Sequence, residues 1–184
     1  VNAIVLPVSP DLNCATPVSG TTVQSTPSVP LGTFYQQYRP SSDVWYQFTA
    51  TQPNHAVVLS NFTDIDYSVA LQVEAYVGAC GNLTPVIGTR LYNSPKELKL
   101  FDLTPGETYY IRIFDHPSYP HTFDVCIVSL PMPPNDECTG AIQLEENTNL
   151  ECSLQTVASI GWATQSLPDC AGAKAHDVWY KFVA

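Results

Sequence analysis

Asp43-Val44-Trp45-Tyr46-Gln47-Phe48 returns almost unchanged as Asp177-Val178-Trp179-Tyr180-Lys181-Phe182. A chain that uses one such segment twice is built from modules. The match extends upstream, where Ala3-Ile4, Leu6, Leu12 and Cys14 fall on Ala141-Ile142, Leu144, Leu150 and Cys152 at a constant offset of 138 residues. At the tryptophans the offset is 134, so the first copy carries four extra residues between Gly32 and Ser42, a length difference of the kind that maps to a loop. Residues 139–184 thus recapitulate residues 1–50, and nothing in the second copy corresponds to 51–131. The expected organisation is a complete module over 1–130 that lacks the first residues of its opening motif. A proline-rich linker with the opening of the next module follows over 131–137, and a truncated N-terminal part of a second, homologous module over 138–184. Pro131-Met132-Pro133-Pro134 has few backbone donors and suits a stiff connection. A repeat of about 130 residues is a bead with its own core, because solenoid repeats run only about 20 to 50.

Composition narrows the class. The formal charge is −10, with 17 acidic and 7 basic residues, and the basic residues are scattered, so no stripe for nucleic acid exists. Only 13% of residues are charged. Together with abundant Thr, Ser, Val, Tyr and Pro, this fits an extracellular all-β domain. No apolar run approaches the ~20 residues of a membrane span, so no direct membrane insertion is expected. No signal peptide is recognised, so if the protein is secreted the sequence is expected to be a mature or internal fragment.

Short β-branched segments bounded by turn residues read as strands: Val44–Thr49, Ala56–Leu59, Val69–Val77, Leu98–Leu103, Thr108–Phe114 and Thr122–Val128. In Trp45–Phe48 and Tyr109–Phe114 large residues alternate, as where one face packs inward and the other meets solvent or a partner. Thr104-Pro105-Gly106-Glu107 has the chemistry of a tight turn and predicts a hairpin between 98–103 and 108–114. No segment shows a sustained helical period. The architecture expected is all-β: jelly-roll-like β-sandwich modules in tandem, tied by disulfides. The six cysteines lack C-x-x-C pairs and read as structural. Cys138 and Cys152 frame the opening of the second module and are expected to pair. Cys80 would then pair with Cys126, leaving Cys14 and Cys170 without partners in this chain.

Taken in order, four motifs carry a family resemblance. They are Asn135-Asp136-Glu137-Cys138 with Ala141-Ile142, the Asp-Val-Trp-Tyr-x-Phe strand, Tyr76-Val77-Gly78-Ala79-Cys80-Gly81, and Leu103-Thr104-Pro105-Gly106-Glu107-Thr108-Tyr109-Tyr110-Ile111-Arg112. In these the chain resembles repeat modules of large secreted and cell-surface proteins of Bacteroidota, which are similar in turn to bacterial pre-peptidase C-terminal (PPC) β-sandwich domains. The resemblance implies a secreted or cell-surface location. It also implies a calcium ion as cofactor, shared by an acidic or amide-rich opening segment and the Asp before the aromatic strand. In this sequence those positions are Asn135, Asp136 and Glu137 with Asp177, and in the first module Asp43 alone. The same residues suit a plainer role, Asn135 and Asp136 capping a turn and Asp43 and Asp177 accepting backbone amides at strand entries.

Catalysis is not announced. There is no G-x-S-x-G elbow and no H-E-x-x-H. His116 and His121, flanked by Pro117 and Pro120, read as exposed loop residues rather than as transition-metal ligands. The extra loop of the first module holds Phe34, Tyr35, Tyr38 and Arg39, and Tyr119 stands in a later loop. Exposed aromatics with polar neighbours suit stacking on sugar rings or docking on a protein, and equally the packing of one bead against the next. Trp45 and Trp179, inside the repeated strand, are expected in the core. The function expected is a non-catalytic spacer, adhesion or ligand-binding module, with neighbouring modules, glycans or surface proteins as partners. The alternative is a carbohydrate- or substrate-targeting accessory domain of a secreted hydrolase.

Overall fold

The computed structural model describes residues 2–10, 12–28, 42–61, 71–91, 96–115, 118, 120–151, 153–166 and 176–183, in two compact units, Val1–Ser129 and Leu130–Ala184. Among the described residues the regular structure is nearly all β. The first unit contains β1 (Ile4–Val5), β2 (Val8–Ser9), β3 (Val18–Thr21), β4 (Ser42–Thr49) and β5 (His55–Ser60). These are followed by β6 (Leu71–Ala79), β7 (Asn82–Leu91), β8 (Glu97–Leu100), β9 (Thr108–Asp115) and β10 (Thr122–Ser129). One sheet runs β1-β4-β9-β6-β7, and the other β2-β10-β5-β8 with β3 also on β10.

The period-2 pattern explains the core. Tyr46 and Phe48 of β4, Val73 and Ala75 of β6, and Tyr109, Ile111 and Ile113 of β9 project from one sheet. They meet Val57 and Leu59 of β5, Leu98 and Leu100 of β8, and Phe123, Val125 and Ile127 of β10 from the other. Alternate residues on each strand share a face, so two sheets of this pattern enclose one apolar layer between them. Burial pushes the Tyr46 phenol up to about 12. Gly20 of β3 approaches this layer closely, because a Cβ there would run into the Tyr46 hydroxyl and the Phe123 ring.

The six strands expected from sequence are present, but the hairpin over Thr104–Glu107 is not. Glu107 N–H does donate to the Thr104 carbonyl at 3.1 Å, yet β8 pairs with β5 in one sheet while β9 lies between β4 and β6 in the other. The turn is an arch that carries the chain across the core. Leu98, Leu100 and Leu103 are buried from the second sheet's side, and this burial holds β8 there. Sequence reading also missed β7, which hairpins with β6 through Cys80-Gly81; it is largely exposed and interrupted by Pro85 and Gly88, so its apolar alternation is weak.

The expected disulfides are corrected. Cys126 bonds Cys14 at a Cα–Cα distance of 6.0 Å, and Cys80 and Cys138 are free thiols. Topology supplies the reason. Cys80 sits at the β6–β7 turn of one sheet, whereas Cys126, between the core residues Val125 and Ile127, turns to the far face of the other. On that edge of β10, β3 pairs as far as Val125 and β2 takes over at Ile127, so the excursion between β2 and β3 brings Cys14 to the handover. The pairing of Cys138 with Cys152 is not formed, since Cys138 is free; Cys152 and Cys170 lie outside the described residues.

The second unit contains a short 3-10 turn, Cys138–Gly140, and a parallel pair, β11 (Ile142–Gln143) with β12 (Tyr180–Lys181). Ile142 pairs with Tyr180 as Ile4 of β1 pairs with Tyr46 of β4. Leu144 N–H donates to the Lys181 carbonyl at 2.8 Å, and Leu6 N–H to that of Gln47 at 2.8 Å. Trp162 and Gln24, again 138 apart, both adopt positive φ, 65° and 61°, rare for residues with a side chain.

Two measurements check these packing arguments. Because Cys14–Cys126 spans 112 residues of sequence, a Cys14→Ser/Cys126→Ser protein should lose about 2–5 kcal/mol in denaturant melts, whereas Cys80→Ser should leave the midpoint unchanged. The second concerns His55, which opens β5. Its Nε2 accepts from the Thr51 and Gln52 amides at 3.2 and 3.3 Å, which leaves Nδ1 to donate to the Val128 carbonyl at 3.3 Å. Burial lowers its pKa from 6.5, so the unfolded chain binds the proton more readily than the folded one. Its contribution is complete above pH 6.5 and is lost as pH falls below that value. His55→Gln should flatten the fall in unfolding free energy below pH 6.5.

Candidate functional site

The outer face of the β4-β9-β6 sheet, opposite the core, collects polar groups in a way the sequence did not announce. Register sets Trp45 beside Arg112 and Arg112 beside Glu74, while Asp43 lies beside Phe114 and Phe114 beside Gln72. Arg112 is fully buried. Its Nε and a terminal nitrogen donate to Asp43 Oδ2 at 2.9 and 2.8 Å, and its other terminal nitrogen lies 3.7 Å from Glu74 Oε2. Tyr76 donates its hydroxyl to Glu74. The guanidinium carbon stands 4.3 Å from the Phe114 ring centre and 5.9 Å from that of Trp45, within reach of the ring quadrupoles. Trp45 and Tyr76 approach at 5.5 Å. Trp45 is therefore buried on the outer face and not in the inter-sheet core where sequence reading put it, because its neighbour Tyr46 takes the inward direction.

Ser28 completes the arrangement. Its hydroxyl donates to Asp43 at 2.9 Å and accepts the Trp45 indole N–H at 2.7 Å, and its amide also points at Asp43, at 3.3 Å. The second unit holds the same clasp. Ser166 donates from N and Oγ to Asp177 Oδ1 at 2.9 and 2.8 Å, and Trp179 Nε1 donates to Ser166 Oγ at 2.6 Å. Ser28 and Ser166 are 138 apart, the upstream offset, so this match was available in the sequence. Arg112 had a signal too, as a lone charge inside Tyr109-Tyr110-Ile111-Arg112-Ile113-Phe114.

The residues expected to hold calcium are engaged in these and similar bonds. Asp43 takes Arg112 and Ser28. Asp136 accepts the Thr164 amide and hydroxyl, each at 2.6 Å, and Asn135 donates to the Trp179 carbonyl at 3.0 Å. Glu137 is exposed. Among the described residues, no three His, Cys, Asp or Glu side chains cluster closely enough to hold a metal ion. Phe34, Tyr35, Tyr38, Arg39 and Tyr119 lie outside the described residues, as does His116. His121, expected in the open, is buried. Its Nδ1 lies 2.8 Å from Asp115 Oδ2, which also accepts the Thr22 hydroxyl at 2.7 Å.

Beside the clasp opens a hollow of about 230 Å³, walled by the Trp45 indole, the Tyr110 phenol, Leu83 and Ala3, with Ser28 and Cys80 at its rim. A hydrogen bond to Cys80 raises the Tyr110 hydroxyl above its ordinary 10.0. Flat aromatic walls with a few hydroxyl and thiol groups bind by stacking and shape. The charged groups nearby are buried, with Asp43 and Glu74 each facing Arg112.

No family model matches this sequence, and no curated protein matches it. Among solved structures, the chain is similar to the pre-peptidase C-terminal domain of collagenase from Bacillus anthracis, at 13% identity and a TM-score of 0.38, over 68% of this chain and 94% of that one. It is also similar to the Yersinia pseudotuberculosis-derived mitogen, at 12% identity and a TM-score of 0.29, over 47% and 85%. Likeness at this level carries no argument about function.

The buried pair is open to test. Arg112→Ala leaves two buried carboxylates facing one another and should cost about 3–5 kcal/mol in chemical melts. Arg112→Met combined with Asp43→Asn and Glu74→Gln removes the charges together and should cost markedly less.

Proposed function

We propose that this chain carries one disulfide-tied β-sandwich bead, Val1–Ser129, and in residues 138–184 part of a second copy of it, both from a secreted or surface-attached protein, and that the bead acts by binding and spacing and performs no chemistry. The observation that carries this reading is the hollow beside Trp45. It offers aromatic walls, a hydroxyl and a thiol, while the titratable groups beneath it are locked in structural bonds. Hydrolysis or group transfer needs a base within reach of a nucleophile and open to substrate. Binding needs only the walls. The Ser-Asp-Trp clasp, repeated with the same donors and acceptors in both units, supports the copy reading, since two unrelated segments have no reason to share it.

An oxidising compartment fits the Cys14–Cys126 bond, and among the described residues no helix is long and apolar enough to cross a membrane. The Trp45 and Tyr110 walls of the hollow suit stacking on a sugar ring.

A glycan array probed with the whole chain should give a discrete set of positives that Tyr110→Ala loses, with the melting temperature little changed because Tyr110 is half-exposed. Chromogenic ester, peptide and glycoside substrates should turn over no faster than the buffer blank. Turnover removed by a single substitution in the chain would overturn the reading.

A further inference from the structure

The edge of the first unit where the N-terminal strands change sheets holds a second hollow, larger than the one beside Trp45 and sharing no lining residue with it. It measures about 480 Å³ and is walled from both sheets, by Ile4 of β1 with Val44 and Tyr46 of β4 on one side and by Gly20 of β3 with Phe123 of β10 on the other. Two features open this space. β1 pairs with β4 only at Tyr46 and Gln47, so Ile4, which shares the inward side of Tyr46, stays 50% exposed. β3 sets a glycine opposite Phe123, where a Cβ would run into the Tyr46 hydroxyl. Tyr46 itself is 1% exposed and its ring meets Phe123 edge-on at 6.5 Å, yet among the described residues its hydroxyl has no hydrogen-bond partner. We propose that this hollow binds a small neutral apolar molecule whose one carbonyl oxygen accepts the Tyr46 O–H while its body lies on Ile4, Val44 and Phe123.

The walls and the hydroxyl decide the ligand class. A phenol taken out of water without a partner costs free energy that a ligand oxygen returns. Burial pushes its pKa up to about 12, so at neutral pH it is an uncharged donor. The inward side chains Ile4, Val44 and Phe123 carry no charge, and an ion brought among them would lose its hydration without a counter-ion. An anion such as a fatty acid is opposed a second time by the Asp124 carboxylate at the margin, which accepts from Ser19 Oγ at 2.7 Å and Asn61 Nδ2 at 2.6 Å. A sugar ring, suited to the hollow beside Trp45, would bring more hydroxyls than one phenol can satisfy. The volume lies within the roughly 300–1,000 Å³ of small-molecule sites. The two hollows are independent, so either assignment can fail alone.

The test uses the whole 184-residue chain with methyl naphthyl ketone and with ethylnaphthalene, in which a methylene replaces the carbonyl. In NMR titrations the methyl resonances of Ile4 and Val44 should shift saturably with the ketone. Tyr46→Phe removes the donor and leaves the walls. In that variant the ratio of ketone to hydrocarbon affinity should fall roughly fivefold, the worth of one hydrogen bond. Its denaturant midpoint should stay level or rise, because the hydroxyl has no protein bond to lose. Three results would each overturn the proposal: no saturable shift at Ile4 and Val44, as when water alone fills the hollow or when only Leu83 beside Trp45 responds; the same affinity ratio in both proteins; or a midpoint lowered by Tyr46→Phe.

Discussion

A guanidinium with no exposure to water has to be surrounded by its own partners, and in the first unit that requirement organises one whole sheet. Arg112 sits on the central strand β9. Its carboxylates come from the strands on either side, Asp43 from β4 and Glu74 from β6, and its aromatic contacts from Phe114 on its own strand and Trp45 on β4. A one-residue slip of either neighbour would move its carboxylate to the opposite face and leave the guanidinium with only part of its compensation in a medium of low polarity. The cluster thereby specifies order and register more than it adds stability, since a buried ion pair recovers little beyond its own desolvation.

The opposite face of the same strands supplies the stability. Tyr109, Ile111 and Ile113 lie against the second sheet, and the alternation of β9 means that one strand serves the apolar layer and the charged layer at once. The second sheet is closed differently. Two short segments, β2 and β3, share one edge of β10, and the Cys14–Cys126 bond fastens the chain where one replaces the other. Short strands bury little area, so a covalent tie is an economical way to hold that edge.

The proposed binding role rests on what this arrangement leaves accessible. Several charged groups hold strands together: Asp43, Glu74 and Arg112 on one face, and Asp115 with His121 and Thr22 near the β9–β10 connection. What faces outward beside them is aromatic and hydroxylic. A surface of that kind recognises by stacking and contour, which is the basis for reading the chain as a binding bead.

The sequence by itself determined the local character of the chain. Alternation in Trp45–Phe48 and Tyr109–Phe114 identified strands because side-chain direction in a strand depends only on parity, and the recurring hexapeptide marked the two stretches that share hydrogen bonds. Even the Ser28 and Ser166 clasp was present in the spacing. Parity does not say which sheet a strand joins. Thr104-Pro105-Gly106-Glu107 is a good turn whether it closes a hairpin or arches between sheets, and only the burial of Leu98, Leu100 and Leu103 against the far sheet decided for the arch. For the same reason Cys126 paired with Cys14 and not with Cys80, and Trp45 turned to the charged face and not the core. These outcomes depend on contacts between residues far apart in the chain, and such contacts exist only once the layers have packed.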